Sequence, residues 1–499
     1  MMGTAHGGLP DEDLVGSGED RISGLPDDLL HSILLRANLG TFDAARTSVL
    51  SRRWRRVWSH LPDLSFIQDR RDPDSHARAR DRVDAALEAY SAPTASRLDI
   101  FEPPSWPLVP VSRVASWLGF ASRRLAGELR MSLRCGQIFY YYEEEEEEEE
   151  EELVIPLCER ATAITIHHLC CTMRFRLPPD DSAFAALAKL EIRDARLVGR
   201  ELEGVVSSRC PRLKELALDV ITLLPLQRGG DAAALSIRST SLECLKISYA
   251  GFGRLQVAAP ELQKLFLTKD QCHTRIVAAP KLAELYYDDL SSYDNGDVPI
   301  SHQFIEAGRH LRRMGIRLAN AATLMRQFDT VDELVLGVYI PEGVQPYERF
   351  LEDTNVLPKC KVLKVFLSLQ RHALEPTMLR LLRKCVGIKK LVFRVNYFYT
   401  PPEDYYSSCK LLGCPCDWLD NHKAEDIIMD SLEEVEIENS VCRKDDMVVE
   451  LVKLLCKCSM IFREKVHITI SEGGGSEYLR EKIRSIHSPT NNVEITIQP

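Results

Sequence analysis

The residue types best suited to metal chemistry in this sequence stand close together: Cys409, Cys414, Cys416 and His422. Thiolate and imidazole groups are preferred ligands of Zn²⁺. The spacing, however, is not that of a zinc ribbon or finger, because Cys414-Pro-Cys416 is tighter than the usual C-x2-C knuckle. We therefore interpret this segment as a loop that carries cysteine and proline, and we predict neither a metal site nor a cofactor.

A second group of possible ligands, His167, His168, Cys170 and Cys171, lies on the predicted strand AITIHHLCC. Neighbouring residues of a strand point to opposite faces, so these side chains are not expected to converge on one ion. Gly473–Gly475 has no lysine that could hold a phosphate and is predicted to be a loop. The sequence also has no G-x-S-x-G, P-loop, H-E-x-x-H or dinucleotide-binding motif. We predict that the protein is not an enzyme.

The composition is that of a globular protein, with 499 residues of which 45% are apolar. This length accommodates two or three domains, or one small domain and a long repeat array. The net charge is −11, but the run Glu143–Glu152 alone contributes ten negative charges. We interpret this run as a solvated loop inserted between repeats, and an arm that binds a basic partner is the alternative.

The cysteines and the N-terminal sequence indicate the cellular compartment of the protein. The 15 cysteines are scattered, the first residues lack the basic and apolar regions of a secretory signal, and no apolar run has membrane-spanning length. We expect a reducing compartment, the cytoplasm and/or the nucleus, and no membrane partner. Residues 1–19, rich in Gly, Asp and Glu, are predicted to be a disordered tail.

The segment Asp20–Trp58 is predicted to form three short helices. Leu25 and Pro26 should open the first helix, and Thr41 should cap the second. The first and third helices each carry a stripe of apolar residues, and about forty residues cannot bury stripes of this width alone. We expect another polypeptide to cover them, whereas an ordinary three-helix core packed only on itself is the alternative.

The sequence LPDDLLHSIL, followed by AARTSVLSRRWRRVW, resembles an F-box, in the form found in plants. The resemblance implies docking onto the small Skp-type adaptor of cullin–RING ubiquitin ligases, and through the adaptor onto a cullin. By motif position, the implied contact residues are Leu25, Pro26, Ile33, Leu34, Val49, Leu50, Ser51, Trp54 and Trp58. The arginines of RRWRR could instead bind nucleic acid, but seven Arg against three Asp over Arg21–Trp58 is too small an excess to favour this.

One pattern, L-x-x-L-x-L, recurs along the rest of the chain. Three weaker copies begin at Ala95, and ten plain copies run from Leu187–Leu190–Ile192 to Leu432–Val435–Ile437, among them Val362–Val365–Leu367. Most spacings between plain copies are 20–31 residues, close to the leucine-rich-repeat period. Each copy predicts a short strand on the concave side of a solenoid. The shortest units leave room only for a strand and a loop, and the longer units hold a convex helix.

Helices are predicted at 200–210, 377–385 and 446–456. The late segment SLEEVEIEN, with the cysteine-rich helix and KVHITI after it, resembles the FBD region that closes repeat arrays of plant F-box/leucine-rich-repeat proteins. The predicted fold is α/β, with a small three-helix F-box and an irregular leucine-rich-repeat solenoid. The predicted layout is a tail at 1–19, the F-box at 20–62, a helical linker at 63–94, the array at 95–470 with its acidic insert at 143–152, and an FBD-like end at 430–499.

This layout implies a non-catalytic substrate-recognition subunit of an SCF-type ubiquitin ligase. The F-box would hold the Skp-type subunit, and the repeats would hold a protein substrate that the sequence does not identify. Two alternatives stay open: a sensor that binds a small hormone-like molecule on the repeat surface, and a repeat scaffold that acts outside any ligase.

Overall fold

A computed structural model provides the structure of the chain. It describes residues 22, 24–36, 40–67, 76–103, 105–133, 152–167, 174–178, 183–224, 234–249, 254–268, 273–288, 302–317, 321–369, 372–384, 387–395, 413–417, 427, 429–439, 445–458, 466–472, 477–486 and 493–498.

The N-terminal part is a three-helix unit made of α1 (Asp27–Arg36), α2 (Thr41–Arg46) and α3 (Arg52–Trp58). The side chain of Ser51 caps α3 by accepting the Trp54 N–H at 3.4 Å. The cap predicted at Thr41 is wrong, because Gly40 holds the N-cap position and makes no side-chain bond there.

The remaining elements alternate strands with helices. The further helices are α4 (His76–Ala89), α5 (Val111–Arg124), α6 (Gly199–Gly204), α7 (Ala322–Gln327), α8 (Val344–Asp353), α9 (Leu374–Lys384), α10 (Asp445–Lys457) and α11 (Glu477–Arg484). The first strands are β1 (Asp63–Ile67), β2 (Ala95–Phe101), β3 (Leu125–Ser132), β4 (Glu152–Val154), β5 (Ala163–His167), β6 (Arg174–Arg176), β7 (Lys189–Val198), β8 (Glu215–Leu224), β9 (Ala234–Arg238), β10 (Cys244–Ser248) and β11 (Arg254–Ala258). The later strands are β12 (Lys264–Thr268), β13 (His273–Ala278), β14 (Glu284–Asp288), β15 (His302–Phe304), β16 (His310–Arg317), β17 (Thr330–Ile340), β18 (Lys359–Leu369), β19 (Lys390–Val395), β20 (Glu434–Asn439), β21 (Val466–Glu472) and β22 (Val493–Gln498).

One long parallel sheet organises the chain, and each of its strands pairs with the next repeat's strand. The order of its main strands is β1, β2, β3, β5, β7, β8, β10, β12, β14, β16, β17, β18, β19, β20, β21, β22. Two short strands extend it, since β6 pairs with the second half of β7 and β4 pairs with β6. The register keeps equivalent apolar residues opposite each other, as Leu64 opposes Leu98 and Leu98 opposes Leu129. This stacking is the arrangement expected of a leucine-rich-repeat solenoid.

Strand pairing continues on both sides of residues 95–470. Strand β1 lies in the region assigned to a linker and pairs with β2, so α4 is the crossover helix of a first repeat. At the other end β22 pairs with β21 beyond residue 470. The residues Leu61, Leu64 and Phe66 do fit the L-x-x-L-x-L spacing, which makes this first copy visible in the sequence.

The copy predicted at Val362–Val365–Leu367 is out of register by two residues. Leu363 and Val365 are the residues that oppose Leu334 and Leu336 of the preceding strand. Side chains alternate along a strand with a period of two, so a shift of two residues leaves the same face inward. The apolar pattern alone therefore could not fix the register here.

The crossovers that cover one side of the main sheet form different elements in long and in short repeats. Long repeats carry helices there, and α9, α10 and the segment formed by α6 with the π-helical turn Val205–Arg209 correspond to the three predicted helices. Short repeats carry a second strand rather than only a loop. Strands β9, β11, β13 and β15 form a second, four-stranded parallel sheet.

The three-helix unit packs directly on the first repeat. The Thr41 hydroxyl accepts the Ser65 N–H at 2.7 Å, and the Phe42 ring meets the Phe66 ring edge-on at 5.3 Å between centroids. Buried residues of the unit, such as Leu30, belong to the same apolar core as those of the array. The unit therefore covers the end of the sheet and is not joined to it by a flexible linker. None of the described helices has the length and apolar character needed to cross a membrane.

A buried ion pair fixes α4 against the segment that follows β2. Arg80 Nη2 lies 2.6 Å from Glu102 Oε2, and Arg80 Nε donates to Oε1 at 2.9 Å. Arg80 also donates to the carbonyl oxygens of Pro107 and Leu108 at 2.5 and 3.0 Å. Both charged side chains are buried, so removal of one partner leaves an uncompensated charge in the core.

We predict that Arg80→Ala lowers the free energy of unfolding by about 3–5 kcal/mol, because it breaks a buried ion pair. The matched control is Arg130→Ala, which breaks the exposed Arg130–Glu128 pair and should cost about 1 kcal/mol or less. Urea denaturation of the three proteins measures both changes. Equal losses in the two variants would contradict the structural role of Arg80.

Candidate functional site

Exposed apolar side chains are concentrated on the three-helix unit and the residues before it. Among the described residues, six of the fourteen large apolar side chains that are exposed lie between residues 22 and 50. These six are Ile22, Leu29, Ile33, Leu35, Val49 and Leu50, and we call them the exposed aliphatic surface. Clustered exposed apolar residues commonly mark a protein-binding site.

Helix α1 has apolar residues on two faces. Leu30 and Leu34, four residues apart, are buried, whereas Leu29 and Ile33, with the same spacing, are exposed. His31 Nε2 lies 2.8 Å from the Val57 carbonyl oxygen and joins α1 to α3. One face of α1 therefore builds the unit, and the other is available to a partner.

The nine predicted contact residues fall into two groups. Pro26, Ile33, Val49, Leu50 and Ser51 are exposed, and Leu25 is half-buried. Leu34, Trp54 and Trp58 are buried in the core of the unit. Within this chain these three side chains pack the helices against one another. Only the exposed and half-buried residues of the first group therefore offer surface area to a partner.

Val49 and Leu50 are the most exposed of these residues, at 87% and 66%. They lie at the 3-10 turn Thr47–Val49 and the residue after it, immediately before α3. Arg53 pairs with Asp27 at 2.6 Å and thereby ties the start of α3 to the start of α1. The most exposed apolar pair is therefore held on an ordered turn.

A second candidate surface is the face of the main sheet that points away from the crossovers, which we call the open sheet face. In each strand, one outward side chain comes just before the first inward apolar residue, and together these side chains form a row across the open sheet face. Positive and negative charges alternate along much of this row. In chain order the charged members are Asp63, Arg97, Glu128, Lys189, Glu215, Lys264, Glu284, Arg313, Glu333, Lys390, Glu434, His467 and Glu494.

Ion pairs across neighbouring strands connect this row, as in Arg313–Glu333 at 2.6 Å and Lys390–Glu434 at 3.0 Å. Burial opposes ionisation of Glu333, but hydrogen bonds from Arg313 and Lys364 outweigh it and lower the pKa of the carboxyl. Since these described charges largely neutralise each other from strand to strand, the row supports the strand register and does not create a large field of one sign.

The next row of the open sheet face becomes aromatic near its middle. Phe266 and Tyr286 stack with centroids 4.6 Å apart, and Lys246 Nζ lies 5.4 Å from the centroid of the Phe266 ring. Gly315 follows Tyr286 in the register, and a methyl group at this position would overlap the Tyr286 ring. The row therefore changes from side chains to bare backbone at Gly315.

A cavity of about 450 Å³ opens at this place, above strands β14, β16, β17 and β18. Its wall is largely apolar and aromatic and includes Tyr286, Tyr339 and Phe366. Its polar element is the pair of Arg317 Nε and Asp288 Oδ1, 2.7 Å apart. Cavities of this size and character accommodate a small molecule or one large side chain of a partner.

No local sequence pattern predicts this cavity, because its residues come from four repeats and meet only when the strands pair in register. A signal was present in the glycines Gly315 and Gly337, which occupy outward strand positions where other repeats carry side chains. Glycine inside a strand marks a close approach or an open space.

The residues considered first for metal chemistry are brought together only in part. Cys414 and Cys416 are adjacent and fully buried, whereas Cys409 and His422 lie outside the described residues. His167 Nε2 is 2.8 Å from Glu191 Oε1, and this hydrogen bond lowers the pKa of Glu191 to about 2. His168, Cys170, Cys171 and Gly473–Gly475 also lie outside the described residues.

Comparison with known families identifies two regions. Residues 22–66 match the F-box domain, and residues 139–312 match the family described as "FBD-associated F-box protein At5g56370, LRR repeats". The chain is 26% identical over 398 residues to the putative F-box/LRR-repeat protein At5g02930 of Arabidopsis thaliana, covering 79% of this chain and 76% of that protein.

Two other Arabidopsis thaliana proteins are similar over shorter lengths. The F-box protein At5g03100 is 40% identical over 116 residues, and this match covers 23% of the chain and only 34% of that protein. The F-box/FBD/LRR-repeat protein At3g52680 is 27% identical over 281 residues, which is 55% of this chain and 56% of that protein.

We predict that exposed and buried residues of the three-helix unit differ sharply in their effect on stability. Val49→Ser with Leu50→Ser should change the free energy of unfolding by about 0.5 kcal/mol or less, as is usual at the surface. Trp54→Ala should lower it by about 3–5 kcal/mol, because it empties a buried aromatic site. Chemical denaturation of both variants measures the difference. A large loss in the serine variant would mean that Val49 and Leu50 are packed inside the protein.

Proposed function

Because the chain combines an F-box with leucine-rich repeats of the FBD-associated kind, we propose that it is a substrate-recognition subunit of an SCF-type ubiquitin ligase. Its F-box docks onto a Skp-type adaptor and through it onto a cullin, and its repeats hold a protein substrate. In this role the protein positions the substrate and supplies no catalytic residue, since a tethered substrate has a high effective concentration at the ubiquitin-carrying enzyme. The observation that carries the proposal is the exposed aliphatic surface on the three-helix unit.

Two features of this surface support protein docking. Val49 and Leu50 project from an ordered turn, so a partner gains apolar contact without ordering a flexible segment. Exposed arginines Arg52, Arg55 and Arg56 follow them on α3 and could steer an acidic partner. Direct packing of the unit on the first repeat would hold a docked adaptor at a fixed distance from the array.

The open sheet face is the proposed substrate surface. Aromatic side chains with neighbouring cations, such as Arg394 over the Phe366 ring at 5.2 Å, are typical of binding hot spots. The cavity beside Gly315 and Gly337 offers a place to anchor one large apolar residue of the substrate.

We predict that Val49→Asp with Leu50→Asp weakens binding to a Skp-type adaptor by about 100-fold or more, because charges replace the two most exposed apolar side chains of the surface. The control is Leu108→Asp with Val154→Asp, two exposed aliphatic residues outside the unit. Calorimetry or co-purification with the recombinant adaptor measures both variants. Binding by the first variant that equals binding by the control would refute docking through this surface.

We predict that Gly337→Leu fills the cavity and abolishes capture of the substrate, while the single variant Gly337→Leu, with Val49 and Leu50 intact, binds the adaptor like the wild type. A side chain is admissible here, because its Cβ would lie 3.6 Å from its nearest neighbours. Affinity mass spectrometry compares proteins with and without Gly337→Leu, both in the Val49→Asp/Leu50→Asp background, where captured substrates should escape degradation. An identical set of captured proteins in both samples would exclude the cavity as the anchor.

The cavity also favours a second candidate function, a sensor of a small hormone-like molecule. Its volume lies within the range of small-molecule pockets, about 300–1,000 Å³. A thermal-shift screen of plant hormones against the wild-type protein and Gly337→Leu tests this candidate. A ligand that stabilises only the wild type supports the sensor. If no hormone raises the melting temperature of the wild type, the result favours a protein substrate as the occupant of the cavity.

We further propose that the protein acts in the cytoplasm and/or the nucleus. None of the eight cysteines within the described ranges forms a disulfide, and burial raises the pKa of several, including Cys158 to about 11. Such thiols are unreactive and suit a reducing compartment. Imaging of a fluorescent fusion in plant cells tests this assignment.

A further inference from the structure

A buried group of metal-ligating side chains lies where the longest interval between repeats contacts the helices. His372 precedes α9, and Cys414 and Cys416 lie at the 3-10 turn Pro415–Asp417, some forty residues later. The two sulfur atoms are 3.2 Å apart, and His372 Nδ1 is 3.5 Å from Cys414 Sγ and 3.9 Å from Cys416 Sγ. All three residues are almost completely buried.

The orientation of the imidazole is fixed from its other side. His372 Nε2 lies 2.8 Å from the carbonyl oxygen of Pro341, and a carbonyl can only accept a hydrogen bond. Nε2 therefore carries the proton of the neutral ring, and the lone pair on Nδ1 points toward the two thiols. A backbone carbonyl that holds one ring nitrogen while the other faces the metal is a recurrent feature of metal-binding histidines.

The residues around the imidazole restrict its movement. The Tyr347 ring of α8 lies with its centroid 5.1 Å from the His372 ring, and Thr377 of α9 donates to the Tyr347 hydroxyl at 3.4 Å. The 3-10 turn that carries the cysteines contacts both α8 and α9. The imidazole and the two thiols are thus held together by contacts from separate elements.

We propose that His372, Cys414 and Cys416 bind one Zn²⁺ ion. Ligand atoms on one tetrahedral zinc ion, with bonds of about 2.0–2.3 Å, lie about 3.5–3.8 Å apart. The two nitrogen–sulfur distances, 3.5 and 3.9 Å, are close to this range, and the sulfur atoms, 3.2 Å apart, would separate by about 0.5 Å when the ion binds. Two thiolates balance the charge of the ion, and both thiol protons pass to solvent when it binds. Water can occupy the fourth position, as in other sites with three protein ligands.

The site differs from the one that the sequence suggested and we rejected. His372 is separated from Cys414 by helix α9 and strand β19, so the local spacing of Cys409, Cys414, Cys416 and His422 does not indicate that it is a ligand. The ion would fasten the long interval between β19 and β20 onto α8 and α9. The ion would lie apart from both the exposed aliphatic surface and the cavity. Its expected role is to hold this interval in place, with water in the position where structural zinc sites usually have a fourth protein ligand.

The test measures zinc on the full-length protein after dialysis against metal-free buffer. We expect one zinc per chain in the wild type and less than about one tenth of this amount in Cys414→Ser/Cys416→Ser and in His372→Gln, because each variant loses ligands that the ion requires. The matched control, Cys456→Ser/Cys458→Ser, removes two buried cysteines with the same C-x-C spacing and should keep one zinc per chain. Equal zinc in the wild type and the Cys414→Ser/Cys416→Ser variant would overturn the assignment.

A second measurement does not depend on whether the variants fold. Wild-type protein loaded with Co²⁺ should show thiolate-to-metal charge-transfer absorption and tetrahedral d–d bands. Removal of zinc with a chelator should increase the alkylation rate of Cys414 and Cys416, measured by mass spectrometry, and leave the rates of the other described cysteines unchanged. Absence of the charge-transfer bands, or a peptide mass that shows a Cys414–Cys416 disulfide in the purified protein, would contradict the site.

Discussion

The shared register of the parallel strands is the constraint on which the rest of this structure depends. Each strand of the main sheet places two apolar side chains inward, and each is aligned with its neighbour's, as Leu216 is with Leu245 and Leu245 with Leu265. A single repeat cannot bury this apolar face, so every repeat needs the next one. The hydrophobic effect thereby fixes the inward positions and leaves the outward positions to the charged row, the aromatic residues and the cavity.

The same constraint explains the position of the three-helix unit. A stack of repeats ends in a strand with unpaired backbone groups and an uncovered core, and terminal strands of this kind need a cap. The unit provides the cap at β1, where the Thr41 hydroxyl accepts the Ser65 N–H and Phe42 packs on Phe66. A residue predicted to cap a helix thus joins two parts of the protein. In the proposed ligase this rigid junction sets the distance between adaptor and substrate.

Buried polar groups act where the repeat pattern is interrupted. Arg80 and Glu102 fix the first crossover helix, and the proposed zinc site of His372, Cys414 and Cys416 would fix the longest interval between repeats. In both places the chain leaves the regular L-x-x-L-x-L spacing, and apolar packing alone does not specify its path. A directional interaction supplies the specificity, because charged and metal-binding groups tolerate few alternative geometries when they are buried.

The sequence by itself determined the two-part layout, the three helices and most strands, because apolar periodicity and helix-opening residues are local signals. It also indicated which helix faces are apolar, but not that Trp54 and Trp58 lie inside whereas Val49 and Leu50 lie outside. Only the tertiary structure decided this, together with the register at Leu363, the cavity at Gly315 and Gly337, and the meeting of His372 with Cys414. Each of these depends on contacts between distant repeats, which no local pattern encodes.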